Sequence, residues 1–226
     1  MTDARREILG TLRSALNRDQ RPPDAARRRL TEHPVNLVPG RGQADPETQV
    51  GLFSNEAIRV EATISRIDDM AGVPGAVSKY LVENNLPAEI RVSPSLQGVP
   101  WTGQPMLNLT DGIAQGSDSA SISRAFGGVA ETGTLVFLSG PENPTTLNFV
   151  PPIHIAVIAA TDIDGDYEAV WARLRAQFGP ESADFMPRTV NWITGPSRTA
   201  DIEQTLLLGA HGPQQLHIII VDDPET

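Results

Sequence analysis

A nearly continuous apolar run from Ile153 to Ala160, with the sequence IHIAVIAA, narrows the possible folds of this chain more than any other feature. The shorter runs Leu135–Leu138 and Ile218–Val221 have the same character. Runs without polar alternation are typical of strands that are buried on both faces, as in parallel sheets. They alternate along the chain with segments of helical periodicity, of which residues 166–178 are the clearest. This alternation predicts an α/β sandwich with a mainly parallel sheet.

The same patterns predict the remaining elements. Residues 47–58 read as a helix, because Val50, Phe53 and Ala57 fall on one face of it. A second helix is predicted to begin at Pro74 and to end near Leu86. Short strands are predicted at residues 60–67, 90–92, 106–109, 120–122 and 190–193.

The first 45 residues are predicted to form a helical arm and a linker, followed by a main domain over residues 46–226. One narrow apolar stripe marks the arm and consists of Ile8, Leu12, Ala15 and Leu16. Prolines and glycines between His33 and Pro46 predict the linker. Because the stripe is narrow, we expect the arm to be peripheral, so that a chain without residues 1–40 still folds cooperatively.

Charge is distributed unevenly along the chain, whose formal net charge is -10. Residues 1–41 carry nine arginines against five acids, whereas residues 42–226 carry nine cations against 23 acids. An acidic main domain is not expected to bind nucleic acid, since that binding depends on neutralising phosphates. The basic arm is suited to contact an acidic partner or the acidic main domain, or it is simply a solvated face.

Several classes of chemistry are disfavoured by missing residues. The chain has no cysteine, which excludes disulfides, thiolate nucleophiles and cysteine-bound clusters within it. It has one lysine, Lys79, and neither of the common glycine-rich nucleotide-binding loops. Its four histidines lack the spacing of a zinc site, so no metal is expected. The charged N-terminus and the lack of an apolar segment of about 18 residues predict a cytoplasmic protein without a membrane span.

Two glycine-rich segments beside predicted strands are the candidates for a binding site: residues 124–134, RAFGGVAETGT, and residues 193–213, ITGPSRTADIEQTLLLGAHGP. Such turns offer backbone N–H groups and hydroxyls to an anion. We expect the segments to meet at one end of the sheet, where ligands of α/β proteins gather. The candidate anion-binding residues are Arg124, Thr132, Gly133, Thr134, Gly195, Ser197, Arg198, Thr199, Asp201 and His211.

Each segment contains an isolated arginine, because no other lysine or arginine lies between residues 92 and 172 or after residue 188. A guanidinium binds a carboxylate or phosphate bidentately. It also pairs readily with a nearby acid, which would be Glu131 for Arg124 and Asp201 or Glu203 for Arg198. The sequence leaves both interpretations open. If Arg198 binds the ligand, Arg198→Ala should abolish the function of the protein without unfolding it.

Three side chains, Ser197, Thr199 and Glu131, have both a chemical and a structural interpretation. A helix beginning at residues 200–204 would add its N-terminal dipole to an anion site, although Ser197 or Thr199 would serve equally as a simple N-cap. Glu131, just before a buried strand, is the candidate catalytic residue, as a nucleophile or general base. It would alternatively hold its loop by accepting backbone hydrogen bonds. His154, inside the apolar run, is expected to be a core residue.

The motifs VAETGTLVFLSG, PPIHIAVI and GPSRTADIEQTLLLGAHGPQQLHIIIVD resemble the lactate-utilisation protein C family, whose domain is called the LUD domain. The resemblance covers about residues 45–222. It implies a three-layer α/β/α sandwich similar to that of sugar-phosphate isomerases and CoA-transferases. The segment around residues 143–145 departs from the family pattern by lacking a basic residue.

The resemblance also implies a function. Family members act in bacterial oxidation of L-lactate to pyruvate, beside two iron–sulfur proteins. This chain would then hold no cofactor itself, its partners would carry the clusters, and a small carboxylate would be its ligand. The alternatives are a stand-alone enzyme, performing acyl-CoA transfer with Glu131 as nucleophile or sugar-phosphate isomerisation, and a scaffold or regulatory protein without turnover.

Overall fold

The computed structural model describes residues 2–16, 23–32, 34–35, 37–179, 186–200, 206–209 and 211–223. The chain divides into two compact units, Met1–Val38 and Pro39–Thr226. The first unit contains the helices α1 (Thr2–Ala15) and α2 (Pro23–Glu32). The apolar side chains that predict α1, such as Ile8 and Leu12, are exposed on its surface.

A six-stranded parallel sheet forms the centre of the second unit. Its strands are β1 (Thr63–Asp69), β2 (Glu89–Val92), β3 (Asn108–Asp111), β4 (Ala120–Arg124), β7 (Ile153–Ala159) and β12 (Gln215–Asp223). They lie side by side in the order β1-β12-β7-β4-β2-β3, and every neighbouring pair is parallel. All seven residues of β7 are buried, so the apolar run that predicts it is a strand covered on both faces.

Two helices cover opposite faces of this sheet. Helix α4 (Val73–Glu83) packs Val77 and Leu81 against one face, together with Ile155 of β7. Helix α3 (Pro46–Arg59) packs Phe53 against the other face, with Ile158 of β7. The predicted α/β fold with a mainly parallel sheet is therefore confirmed.

A second, four-stranded sheet lies on the α3 side and was not predicted. It consists of β5 (Gly127–Val129), β6 (Thr134–Leu138), β8 (Ile163–Asp164) and β9 (Val190–Thr194), in the order β8-β5-β6-β9. Strand β6 pairs antiparallel with β5 and β9. Its residue Phe137 packs on the core of the main sheet, whereas Val136 packs against Val170 of α5 (Tyr167–Phe178). The double burial of Leu135–Leu138 therefore comes from a position between the main sheet and α5.

The segment after Gly195 forms a hairpin of β10 (Arg198–Ala200) and β11 (Leu206–Leu208). The predicted helix start after the turn is therefore wrong at residue 200, which is the last residue of β10. The pairing with β11 uses backbone groups that a helix N-terminus would have offered to an anion. Two strand boundaries also differ from the prediction. Strand β1 begins at Thr63 rather than at residue 60, because α3 ends with Val60 as its cap. Strand β3 begins at Asn108 rather than at residue 106.

Residues 40–43 are part of the second unit, which is the main unit, and pack against the rest of it rather than serving only as a linker. Gly42 lies so close to the backbone of Gly165 that a Cβ atom on either residue would overlap the other. Gln43 Nε2 donates to Asp166 Oδ2 at 2.7 Å. Arg41 pairs with Glu56 of α3 at 2.6 Å. A cut that removes the first unit alone therefore falls before residue 39.

Truncation is expected to separate the contribution of the first unit to stability from that of residues 39–43. Deletion of residues 1–38 should change the free energy of unfolding of the main unit by less than about 1 kcal/mol. Deletion of residues 1–43 should cost about 2–3 kcal/mol more, because it removes the charged hydrogen bond of Gln43 and an ion pair of Glu56. Urea unfolding measures both values. Equal midpoints for the two truncated chains would show that residues 39–43 add no stability.

Candidate functional site

A cavity of about 430 Å³ opens at the carboxyl edge of the main sheet, where ligands of parallel α/β sheets usually bind. Segments that follow three of its strands supply the lining: Ser95 follows β2, Arg124 ends β4, and Asp162 follows β7. Phe126 and Leu138 form an apolar part of the wall. Its volume lies within the range of about 300–1,000 Å³ that is common for ligand pockets.

Arg124 is the free cation of this cavity. Its side chain is half-buried, and its guanidinium forms no ion pair with any described residue. The pair with Glu131 that the sequence left open is thus not formed. By contrast, Arg91 forms a two-point bond to Asp118 at 2.8 and 3.0 Å. An arginine that meets no acid in an acidic protein is suited to take an external anion.

Arg173 of α5 forms a fixed part of the wall. Its guanidinium pairs with Asp162 at 2.6 Å and with Asp164 at 3.0 Å. It lies 4.9 Å from the ring centre of Phe126. Gly127 makes room for it, since a Cβ atom there would overlap the guanidinium. Because its charge is already neutralised, Arg173 shapes the cavity and leaves Arg124 as the group that meets a ligand.

A tight turn at Glu142 and Asn143 closes one side of the cavity. Ser93 Oγ donates to the carbonyl oxygen of Glu142 at 2.6 Å, and the N–H group of Ser95 donates to the same oxygen at 3.0 Å. Asn143 Nδ2 donates to the carbonyl oxygen of Arg124 at 3.2 Å. Where the family pattern led us to expect a base, this turn therefore supplies an acid and an amide.

Glu131 lies outside this cavity. It is 8% exposed, and its N–H group donates to the carbonyl oxygen of Gly165 at 3.2 Å. Burial raises the pKa of its carboxyl group, the negative charge of Asp166 raises it further, and Arg41 opposes the shift. A nucleophile must reach its substrate, so this buried position weighs against acyl transfer through Glu131.

The two glycine-rich segments do meet, but at a cluster of hydroxyls. Thr134 Oγ1 lies 2.7 Å from Thr132 Oγ1 and 2.7 Å from Thr194 Oγ1. Tyr167 Oη lies 3.1 Å from both Thr132 and Thr134. The cluster links β6, β9 and α5. Since these hydroxyls bond to one another, the contact explains why the segments meet without requiring a ligand.

The hairpin side of the second segment is built around Ser197. Its N–H group donates to the carbonyl oxygen of Pro213 at 2.8 Å, and its Oγ accepts from the N–H group of His211 at 3.3 Å. Arg198 and His211 are exposed. The side chain of Thr199, and all of Asp201 and Glu203, lie outside the described residues.

Arg124 and Arg198 belong to opposite edges of the main sheet. Arg124 is the last residue of β4, at the carboxyl edge. The turn beside Arg198 lies near the start of β12, because the N–H group of Ser197 donates to the carbonyl oxygen of Pro213, and the N–H group of Gln214 donates in turn to the carbonyl oxygen of Pro152, just before β7. Gly195 packs on Val60, which precedes β1. The candidate anion-binding residues therefore do not converge on one pocket.

Two histidines are buried in the core, including His154 as expected. Ser123 Oγ donates to Asn148 Oδ1 at 3.1 Å and lies 2.8 Å from His154 Nε2. His217 Nδ1 lies 2.8 Å from Thr63 Oγ1, and its ring stacks on Tyr80 with centres 4.0 Å apart. Burial lowers the pKa of His154 to about 3 and that of His217 to about 4, so both are neutral near pH 7.

Sequence reasoning missed most of the cavity lining: Phe126, Leu138, Glu142, Asn143, Asp162, Arg173 and Gln177. A signal existed for part of it. Asp162 follows the strongest predicted strand, and Glu142 lies in a proline-flanked turn after another. Arg173 carried no such signal, because it lies within a helix.

Within the described ranges, no group of three or more His, Asp or Glu side chains is arranged to hold a metal ion. None of the helices that the structure describes is both long and apolar enough to cross a bilayer.

Comparisons with known proteins match mainly the second half of the chain. The family model of the LUD domain matches residues 116–221. An uncharacterised protein of Neisseria meningitidis is 41% identical over 103 residues, which are 45% of this chain and 42% of that protein. A protein named lactate utilization protein C, from a Geobacillus species, is 36% identical over 109 residues, which are 47% of this chain and 44% of that protein. The matched segment thus spans less than half the length of these relatives.

One solved structure is similar over most of the chain. It is a DUF162 family protein from Deinococcus radiodurans, with a TM-score of 0.55 and 20% sequence identity. The alignment covers 79% of this chain and 99% of that chain. At this identity, the likeness supports the fold.

Proposed function

We propose that the chain is a member of the LUD-domain family and acts in bacterial L-lactate utilisation, as a subunit without a redox centre of its own. Several relatives are named lactate utilization protein C. Oxidation of lactate to pyruvate releases two electrons and two protons. This chain has no cysteine to hold an iron–sulfur cluster by thiolates. The resemblance to the lactate-utilisation protein C family supports the rest of the proposal, in which two iron–sulfur partner proteins take the electrons and the chain is located in the cytoplasm.

The role of this subunit in the proposal is to bind the carboxylate. The observation that carries it is the guanidinium of Arg124, which lies in the cavity at the carboxyl edge of the main sheet and forms no ion pair with any described residue. A small acid held there would receive two parallel charge-assisted hydrogen bonds. The wall of Arg173, Asp162 and Phe126 would keep the ligand in one place. Binding and orientation are what a protein without its own redox group contributes to such a reaction.

Replacement of Arg124 is expected to weaken ligand binding, whereas replacement of the exposed Arg198 is not. Arg124→Gln should weaken binding of L-lactate by about 100-fold, because it removes a bidentate contact worth roughly 3 kcal/mol. Arg198→Gln, a matched change of an exposed arginine, should leave binding within about twofold, since the hairpin lies at the other edge of the sheet. Ligand-observed NMR on the two folded variants measures both effects.

Growth gives the second readout. In a strain that lacks its own copy of the gene, Arg124→Gln should fail to support growth on L-lactate, whereas Arg198→Gln should support it. The reverse result would move the site to the hairpin. Normal growth with both variants would remove carboxylate binding from the role of this subunit, and failure to co-purify iron–sulfur proteins would remove the proposed assembly.

A further inference from the structure

The carboxyl-edge cavity is lined by a carboxylate as well as a guanidinium that form no ion pair with the residues the structure describes. Glu142 lines the cavity together with Arg124, and its side chain is exposed. The carboxylate of Glu142 forms no ion pair with Arg124 or with any other described residue. Asp162, the other acid in the lining, is already neutralised by Arg173. The cavity therefore presents one free positive and one free negative group to whatever enters it.

The backbone of both residues is held in place by hydrogen bonds to neighbouring strands and turns. The carbonyl oxygen of Glu142 accepts from Ser93 Oγ at 2.6 Å, and Ser93 directly follows β2 and is fully buried. Asn143 bonds to the carbonyl oxygen of Arg124 at 3.2 Å, at the end of β4. Strands β2 and β4 are hydrogen-bonded neighbours. The turn that carries Glu142 is thus tied to the same sheet edge that carries Arg124.

We propose that Glu142 determines specificity in this cavity, by accepting a hydrogen bond from a donor group next to the carboxylate of the ligand. The ligands that fit are 2-hydroxy acids and 2-amino acids, in preference to 2-oxo acids. The inference rests on the proposed function only in that Arg124 holds the carboxylate.

The chemistry of the carboxylate gives the reason. An ionised glutamate is an acceptor only, so it bonds to a hydroxyl or an ammonium group. The carbonyl oxygen of a 2-oxo acid is also an acceptor, so neither it nor the glutamate carboxylate would have a hydrogen-bond donor. Sites that bond a ligand hydroxyl reject analogues without it, by large factors when the site is closed. In this half-open cavity we expect about a tenfold preference.

The preference has a consequence for lactate oxidation. L-Lactate carries a hydroxyl beside its carboxylate, whereas pyruvate carries a carbonyl oxygen in the same position. The cavity would therefore retain the reduced acid and release the oxidised one. L-Alanine, which has an ammonium group at that position, should bind at least as well as lactate, since a charged donor bonds to a carboxylate more strongly than a neutral hydroxyl does.

Four acids of similar size test the proposal on the full chain: L-lactate, L-alanine, pyruvate and propionate. Ligand-observed NMR compares the wild type with Glu142→Gln, Arg124→Gln and a control, Glu83→Gln, which changes an exposed glutamate on α4. The wild type and the control should bind lactate and alanine about tenfold more tightly than pyruvate and propionate. Glu142→Gln should bring pyruvate within about twofold of lactate, because the amide donates to the carbonyl oxygen.

The outcomes separate the two proposals. Suppose that Arg124→Gln weakens the binding of all four acids but Glu142→Gln leaves the ratio of the affinities for lactate and pyruvate unchanged. The specificity role of Glu142 is then overturned, and the carboxylate site stands. If Arg124→Gln changes nothing, the carboxylate site itself fails. If none of the acids binds to the folded wild type, both proposals fail.

Discussion

Gly133→Ala is expected to destabilise the chain by about 2–5 kcal/mol, a large part of the 5–15 kcal/mol typical of a domain. Gly133 has a φ of 64°, in the left-handed region that costs other residues about 1–2 kcal/mol. It also lies against the end of α3, where a Cβ atom would be 2.8 Å from the Cα atom of Ala57 and closer still to its nitrogen. Crowding in a packed interior adds about 1–3 kcal/mol, because backbone cannot move aside as a flexible side chain does.

A second glycine, Gly112, separates the effect of backbone strain from the effect of crowding. Gly112 has a φ of 101°, and no described atom lies within 4 Å of a Cβ atom built on it. Its backbone is farther from the left-handed minimum, so Gly112→Ala bears at least as much backbone strain and none of the crowding. Chemical denaturation of both variants gives the two free energies of unfolding. Equal losses would mean that α3 moves away from Gly133 and that the contact is not rigid.

This contact also gives the AETGT motif a structural reason. Its glycine allows β6 to begin against α3, and its threonines join the hydroxyl cluster with Thr194 and Tyr167. Its glutamate is buried beside residues 40–43. A motif that stands out in a sequence is therefore not necessarily the part that meets the ligand.

Most of the main sheet could be predicted from the sequence, because its strands and helices are long enough to show their period. The stripe of Val50, Phe53 and Ala57 predicts α3, and all three side chains are buried. The second sheet could not be predicted in the same way. Strand β5 has three residues, two of them glycines, and β8 has only two residues, so neither shows a period. Their pairing is decided by the contact with the main sheet.

Part of the candidate site could be predicted from the sequence. Arg124 stands out because no other cation lies near it in the sequence, and it lines the cavity. Arg198 stands out for the same reason, yet it lies on a hairpin at the opposite edge of the sheet. Isolation in sequence does not report position across a sheet. Likewise, a glycine- and hydroxyl-rich turn before a polar segment suits both a helix start and a hairpin, and only the pairing of β10 with β11 distinguishes them.

Acidification is expected to destabilise the fold through its buried histidines. His154 is fully buried and His217 is 3% exposed, and burial lowers their pKa values to about 3 and about 4. In the unfolded chain the value is about 6.5. Below pH 6.5 the unfolded state therefore binds more protons, and the free energy of unfolding falls with pH until the folded-state pKa values are reached. Between pH 6.5 and pH 5, each histidine should cost about 2 kcal/mol.

A variant comparison isolates this effect from the carboxyl groups. Burial raises the pKa values of Glu131 and Asp164, so their contribution has the opposite sign, but both are unchanged in all the chains compared. His217→Asn should lower stability at pH 7 by breaking the bonds to Thr63 and Ser65, and should reduce the dependence on pH by about 1 kcal/mol per pH unit between pH 7 and pH 5. His211→Asn, which changes an exposed histidine, should keep the wild-type dependence. Urea unfolding at pH 7, 6 and 5 measures the free energy of unfolding of each chain. Parallel curves for the wild type and His217→Asn would show that the buried imidazole takes up its proton without unfolding the chain.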